Sequence, residues 1–139
     1  LKDGTAEMFS LEMEVKSVIT SPSGTMQLNR KGVYEISGMA WSGASAIRTV
    51  EVSADGGKSW ATALQQSDNQ PNALTRFRIP WQWTGQPSVL QSRAIDQKGN
   101  VQPTRDVALR RYSARSFYHY NGIQSWQVSS DGMVKNVYV

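Results

Sequence analysis

A strand that runs into two adjacent glycines constrains this chain more than any other feature of its sequence. In residues 47–60, IRTVEVSADGGKSW, valines alternate with polar residues up to Ser53, and Asp-Gly-Gly follows at positions 55–57. A period of two places the valines on one face of a β-strand, and glycine supplies the positive φ that a tight turn requires. The run therefore predicts a half-buried strand that enters a hairpin, with Trp60 on the returning strand.

The same alternation recurs along the chain and predicts its fold class. Six further segments show it: residues 13–19, 33–42, 75–83, 88–96, 123–130 and 133–139. The breaks between them carry glycine, proline or asparagine, and Pro80 indicates a strand edge or a bulge because proline has no backbone N–H to donate. Short strands at this spacing predict an all-β fold, an immunoglobulin-like antiparallel β-sandwich of about seven strands.

Residues 104–118 are the one stretch without clear alternation. Thr104 is a suitable cap for a short helix, but the apolar residues that follow it are poorly spaced for a helix face. We therefore predict an extended connection here.

The length of 139 residues predicts a single domain, residues 1–139. The chain begins at Leu1 rather than Met, so we expect it to have been cut from something longer. Its longest uninterrupted apolar run is three residues, which predicts no membrane partner.

The side-chain inventory limits the chemistry that this chain can perform. With no cysteine and one histidine, His119, it lacks the ligands of a zinc site and the nucleophile–base pair of a hydrolase. Its acidic residues show neither the spacing of a calcium loop nor a recognisable catalytic pair. We predict no catalytic residues, no metal ligands and no cofactor-binding residues in the chain itself.

The charge distribution and the tryptophans leave alternatives open. Residues 1–70 carry six basic and eight acidic side chains, whereas residues 71–139 carry nine and three, which fits either a solvated surface or an acidic partner. Trp60, Trp81 and Trp83 fit either core packing or an exposed stripe for a sugar or a protein. The second alternative makes the chain an independent binding module for a carbohydrate or protein ligand. Nucleic acid is not predicted as a partner, because the basic residues do not interleave with aromatic ones.

Four segments in combination resemble a known family. They are GMAWSGASAIRTVEVSADGGKSWATA at 38–63, FRIPWQW at 77–83, LQSRAIDQKGNVQP at 90–103 and YHYNGIQSWQVSSDG at 118–132. Together they resemble the dimerisation domain of the sulfite oxidase family, the immunoglobulin-like module that follows the molybdenum-cofactor domain. LQSRAID and YHYNGIQSW look most similar to the Sox-type sulfane dehydrogenase (sulfite dehydrogenase) subunit of bacterial sulfur oxidation.

The resemblance implies a non-catalytic C-terminal dimerisation domain within a longer molybdenum-dependent sulfur oxidoreductase. The implied partners are a second copy in a homodimer, the preceding molybdenum-cofactor domain, a cytochrome c subunit and a sulfur carrier protein. Molybdopterin-bound molybdenum is implied in the parent enzyme, held by a cysteine of that preceding domain, and the implied location is the periplasm.

Residues 115–122, RSFYHYNG, are the segment where residue chemistry and resemblance both point to a substrate. In sulfite-oxidising members a substrate-contacting arginine lies just before the glycine that corresponds to Gly122, and here Asn121 takes that place. We expect His119 and Asn121 to contact the sulfur substrate or its carrier, with Arg115 adding positive potential. The alternative is that these residues only cover the end of the sheet. The departure at Asn121 favours a sulfur species other than free sulfite.

Overall fold

The computed structural model describes residues 15–24, 26–43, 45–66, 74–112 and 122–137. These residues form nine strands and one helix. In chain order they are β1 (Lys16–Ser21), β2 (Gly32–Trp41), β3 (Ile47–Ser53), β4 (Ala61–Thr62), β5 (Leu64–Gln66), β6 (Thr75–Trp83), β7 (Ser88–Asp96), α1 (Arg105–Tyr112), β8 (Ser125–Val128) and β9 (Val134–Val137).

The strands form two antiparallel sheets that pack face to face. One sheet has the order β1-β2-β6-β5 and the other the order β4-β3-β7-β8-β9. All the strand pairs within them are antiparallel. The prediction of an all-β sandwich is confirmed. The described residues form nine strands rather than about seven, and one of the additional strands arises because residues 61–66 are divided between the two sheets.

That divided strand is the run of residues 61–66, which changes sheets. Ala61 and Thr62 pair with β3, the Ala63 N–H donates to the Val50 carbonyl at 2.8 Å, and Leu64 then begins the pairing with β6. The pairing of β5 with β6 stops at Arg78, two residues before Pro80. Pro80 therefore lies on a stretch of β6 that is a local sheet edge in the described part of the chain, as its missing N–H predicted.

The core lies between the sheets and is built from the alternating residues that the sequence marked. Along β6, Phe77 and Trp83 are buried while Arg76 and Arg78 are exposed. Fully buried aliphatic side chains from both sheets meet them: Ile36, Val50, Leu90 and Val128. Each such side chain contributes about 1.5–3 kcal/mol relative to an exposed position, so this core carries most of the favourable free energy of folding.

A buried glutamine closes the gap between β1 and β7. Gln102 is 1% exposed, and its Oε1 accepts hydrogen bonds from the Ser17 N–H at 3.0 Å, the Ser17 hydroxyl at 2.7 Å and the Ala94 N–H at 3.2 Å. The Gln102 N–H also donates to the Ala94 carbonyl at 2.9 Å. The residue thus joins the two sheets with hydrogen bonds where no strand lies between them.

The prediction of an extended connection over residues 104–118 is wrong for α1. The Thr104 hydroxyl accepts a hydrogen bond from the Val107 N–H at 3.3 Å, and the Thr104 carbonyl accepts one from the Ala108 N–H at 3.0 Å. Asp106 in the first turn favours the positive end of the helix dipole. The cap and the buried Ala108 sustain a helix whose apolar pattern alone does not mark it. Residues 113–118 lie outside the described part of the chain.

Candidate functional site

Arg115, His119 and Asn121, the predicted substrate-proximal residues, lie outside the described residues. Both flanks of their segment are described. The chain enters it from the end of α1 at Tyr112 and leaves it at Gly122. Gly122 is buried, and the Ile123 N–H donates to the Pro103 carbonyl at 2.9 Å, so the second flank is fixed to the residue that precedes Thr104.

A cavity of about 550 Å³ lies on the outer face of the five-stranded sheet, beside the start of α1 and beside Ile123, the residue that follows Gly122. Thr104, Arg105 and Asp106 line it on the side of α1, and Ile123 lines it on the other flank. The hairpin after β3 contributes Gly57 and Trp60. Sequence reasoning did not find this cavity, because its walls come from four segments that only the fold brings together: residues 56–60, 91–93, 101–106 and 123.

Arg93 provides a fixed positive charge in the wall of this cavity. Its guanidinium carbon lies 4.1 Å from the centroid of the Trp60 ring, and its Nη2 donates to Glu51 Oε1 at 2.6 Å. The Trp60 indole N–H in turn donates to the Gly57 carbonyl at 3.2 Å. The stack and the ion pair orient the guanidinium, so Arg93 is a positioned element of the site rather than a mobile surface charge.

The carboxylate of Asp55 organises the hairpin that carries Trp60. Its Oδ1 accepts hydrogen bonds from the Ser53 hydroxyl, the Lys58 N–H and the Ser59 N–H at 2.7, 3.0 and 2.9 Å, and its Oδ2 accepts one from the Ser59 hydroxyl at 2.6 Å. Bonds from the Ser59 and Ser53 hydroxyls lower the pKa of Asp55 well below its usual range, with the two N–H groups adding to the shift. Gly56 and Gly57 have φ of 74° and 94°, as the predicted hairpin required.

A second carboxylate holds the turn after β7. Asp96 is fully buried, and this loss of solvent on its own would raise its pKa. Hydrogen bonds from the side chain and N–H of Asn100, the Ser42 hydroxyl and the Lys98 N–H outweigh that effect, so the pKa of Asp96 is lowered. Asp96 is therefore a charged group, and its carboxylate stabilises the loop that leads to Gln102 and to the cavity.

The tryptophans favour packing over an exposed binding stripe. All five lie in the described part of the chain, where Trp83 is buried and the other four are half-buried. Tyr34 lies at 6.4 Å from Trp81 and 6.3 Å from Trp83, measured between ring centroids. Trp81 and Trp83 thus belong to the core and its margin, whereas Trp60 lines the cavity.

The described residues offer no ligand set for the molybdenum cofactor that the resemblance implies for the parent enzyme. They contain no group of three histidine, cysteine, aspartate or glutamate side chains able to hold a metal ion. The whole sequence contains no cysteine to supply a thiolate. The one helix in the described ranges is too short and too polar to cross a membrane.

The described residues form a two-sheet sandwich with a cavity on the outer face of its five-stranded sheet. The family model of the Mo-co oxidoreductase dimerisation domain matches residues 7–125. This chain belongs to that family. The family membership predicted from the sequence is confirmed.

Two curated relatives and one plant enzyme show how far the similarity extends. Mouse mitochondrial sulfite oxidase is 35% identical over 100 residues, which cover 66% of this chain and 18% of that protein. Chicken sulfite oxidase is 31% identical over 98 residues, covering 66% and 21%. The NADH nitrate reductase of Hordeum vulgare is 32% identical over 108 residues, covering 68% and 12%. The chain thus spans about a fifth or less of these relatives.

A solved structure shows a higher identity over more of the chain. The sulfane dehydrogenase SoxCD from Paracoccus pantotrophus matches with a TM-score of 0.86 and 48% identity, covering 91% of this chain and 33% of that chain. The similarity to a sulfane dehydrogenase expected from LQSRAID and YHYNGIQSW is therefore present in both sequence and structure.

Proposed function

We propose that this chain is the C-terminal dimerisation domain of a molybdenum-cofactor sulfane dehydrogenase. The observation that carries the proposal is the 48% identity to the sulfane dehydrogenase SoxCD over 91% of the chain, against 35% to mouse sulfite oxidase over 66%. Asn121 supports the same assignment, because the resemblance places a substrate-contacting arginine there in the sulfite-oxidising members.

In this proposal the domain joins two subunits, and a preceding domain holds the cofactor. The absence of cysteine from the sequence supports this division, since the resemblance implies a cysteine as the molybdenum ligand. Molybdopterin-bound molybdenum would supply the redox chemistry there. A cytochrome c subunit would take up the electrons, a sulfur carrier protein would present the substrate, and the enzyme would act in the periplasm.

The contribution of this chain to the reaction would be to hold the segment around His119 at the cofactor domain. The structure supports a fixed position for the residue that follows Gly122, because the Ile123 N–H is hydrogen-bonded to the Pro103 carbonyl. His119 and Asn121 would contact the sulfur species or its carrier. Arg115 would add positive potential for an anionic substrate.

Substrate preference in the full-length, molybdenum-loaded enzyme tests this assignment. We expect its specificity constant for sulfane sulfur on a carrier protein to exceed that for free sulfite by about tenfold or more, since the site lacks the arginine at position 121. The two substrates should be compared with cytochrome c as electron acceptor. A preference for free sulfite would assign the chain to a sulfite oxidase instead, and a monomeric enzyme would contradict the subunit-joining role.

A further inference from the structure

The outer face of the four-stranded sheet exposes a row of large apolar and charged side chains. We call Val33, Glu35, Leu64, Arg76 and Arg78 the outer patch. Val33 is 69% exposed and Leu64 is 64% exposed, and the three charged residues are exposed as well. Strand register places all five on the same face, because Leu64 pairs with Arg78 and the odd-numbered residues of β2 point away from the buried Ile36.

The charges of the outer patch have no partners within the described part of the chain. Glu35, Arg76 and Arg78 form no ion pair there, whereas Glu51 and Arg93 on the other sheet are bonded to each other at 2.6 Å. Two cations and one anion stand beside exposed apolar groups, and all three charged residues line a cavity of about 510 Å³. This mixture is typical of a protein interface, where arginine and apolar residues are enriched.

The outer face of the five-stranded sheet differs, because it is partly covered by the chain itself. Ser53, Gln91 and Ser125 occupy one row of that face and are 0%, 8% and 1% exposed. Gln91 donates to the Ser125 hydroxyl at 2.8 Å. The cavity, with Ile123 in its lining, also lies on this side. The two faces are therefore suited to different partners.

We propose that the outer patch is the surface on which a second copy of this chain binds, face to face across a twofold axis. The inference rests on the homodimer of the proposed function and adds to it the face and the pairing. Consider a twofold axis that lies in the interface plane, passes midway between Glu35 and Arg78 and runs perpendicular to the line joining them. It places Glu35 of each copy over Arg78 of the other. Two ion pairs then form from charges that lack partners in one copy.

The same twofold axis also brings exposed apolar side chains of the two copies together. Pairing places Glu35 opposite Pro80 and Val33 opposite Gln82 on β6, and Leu64 opposite Arg78. Neighbouring strands lie about 4.8 Å apart, and each residue advances a strand by about 3.4 Å. With this spacing, rotation about the axis brings the position of Leu64 in one copy to within about 3 Å of the position of Val33 in the other, measured parallel to the sheets. The two most exposed apolar side chains on this face are thus covered by the operation that pairs the charges.

Charge exchange in the full-length enzyme tests the pairing. Arg78→Glu or Glu35→Arg alone places like charges across the axis, and each should raise the dimer dissociation constant about tenfold or more. The double variant Glu35→Arg/Arg78→Glu restores opposite charges and should recover most of the loss. Sedimentation velocity over a concentration series measures all three. Leu64→Lys should also weaken the dimer, and Met133→Lys, at 44% exposure in the turn before β9, is the matched control that should not.

The outcomes separate this inference from the proposed function on which it rests. If the unmodified enzyme is a dimer and the outer-patch variants dissociate no more than Met133→Lys, the assignment of the face is wrong and the homodimer stands. If single variants dissociate and the double variant does not recover, the twofold pairing of Glu35 with Arg78 is wrong. A monomeric unmodified enzyme overturns both proposals. All these positions are exposed, so circular dichroism should show every variant folded.

Discussion

At the scale of single residues, the hairpin after β3 depends on a carboxylate more than on its glycines. Gly56 and Gly57 allow the turn, but Asp55 accepts the hydrogen bonds that fix Ser53, Lys58 and Ser59 around it. That loop sets Trp60 against Arg93. The sequence predicted the hairpin because glycine is a strong turn signal, whereas a web of bonds to one aspartate has no comparable signature.

Acidification should loosen this hairpin in a way that Asp55→Asn removes. The folded-state pKa of Asp55 is depressed, so its stabilisation is present above the unfolded value of about 3.9 and declines as the pH falls below it. Between about pH 5 and pH 3 the unmodified chain should lose more thermal stability than Asp55→Asn does. Ser59→Ala should be intermediate, and Ser130→Ala on the other hairpin should match the unmodified chain. Equal slopes for all four in a thermal melt would show that the charge of Asp55 does not hold the loop.

Gln102 is the residue whose loss should cost most outside the apolar core. Without its Oε1, the N–H groups of Ser17 and Ala94 stay buried with no acceptor, at about 1–3 kcal/mol each. Gln102→Leu should therefore lower the free energy of unfolding by at least about 2 kcal/mol. Gln97→Leu, at an exposed turn position, is the control and should change it by less than about 0.5 kcal/mol. Similar denaturation midpoints for the two variants would contradict the bridging role of Gln102.

At the scale of elements, strands were predictable and α1 was not. The alternation in residues 75–83 identifies the buried and exposed faces of β6 directly, because a strand repeats every two residues. The helix depends instead on a cap and one buried alanine, and its remaining apolar residues are too few to mark a face. The division of residues 61–66 between two sheets also has no local signal, since it depends on where β3 and β6 lie. The cavity beside α1 was missed for the same reason.

The cap of α1 can be tested on its own. Thr104→Ala removes the hydroxyl that accepts from the Val107 N–H, and we expect a loss of about 1 kcal/mol in the free energy of unfolding. Thr104→Ser keeps a hydroxyl and should retain most of that stability. Thr84→Ala, at an exposed loop position, controls for the loss of a threonine. If Thr104→Ala and Thr84→Ala unfold alike, the helix does not depend on its cap.

At the scale of the whole molecule, the two sheets present different outer surfaces. In the described part of the chain, the four-stranded sheet offers an outer patch of charges without ion-pair partners, and the five-stranded sheet carries the cavity beside Ile123 and the start of α1. A subunit that must join a second copy and also meet a cofactor domain needs two separate surfaces. A β-sandwich supplies them on opposite sides of one core, so the burial that stabilises the fold also fixes the relative positions of both surfaces.

Residues 115–122, the proposed substrate segment, can be tested in the full-length enzyme. His119→Ala should lower the specificity constant for carrier-bound sulfane sulfur several-fold or more, because the proposed function assigns this side chain a contact with the substrate or its carrier. Asn121→Arg should shift the preference towards free sulfite, since it restores the residue that the resemblance places there in sulfite-oxidising members. Lys135→Ala, an exposed change on β9, controls for a general loss of charge. Thermal melting of each variant should stay close to that of the unmodified enzyme, which separates a kinetic effect from unfolding. Unchanged kinetics in His119→Ala, or a loss of activity that the melting curve fully explains, would leave these residues as a cover for the end of the sheet.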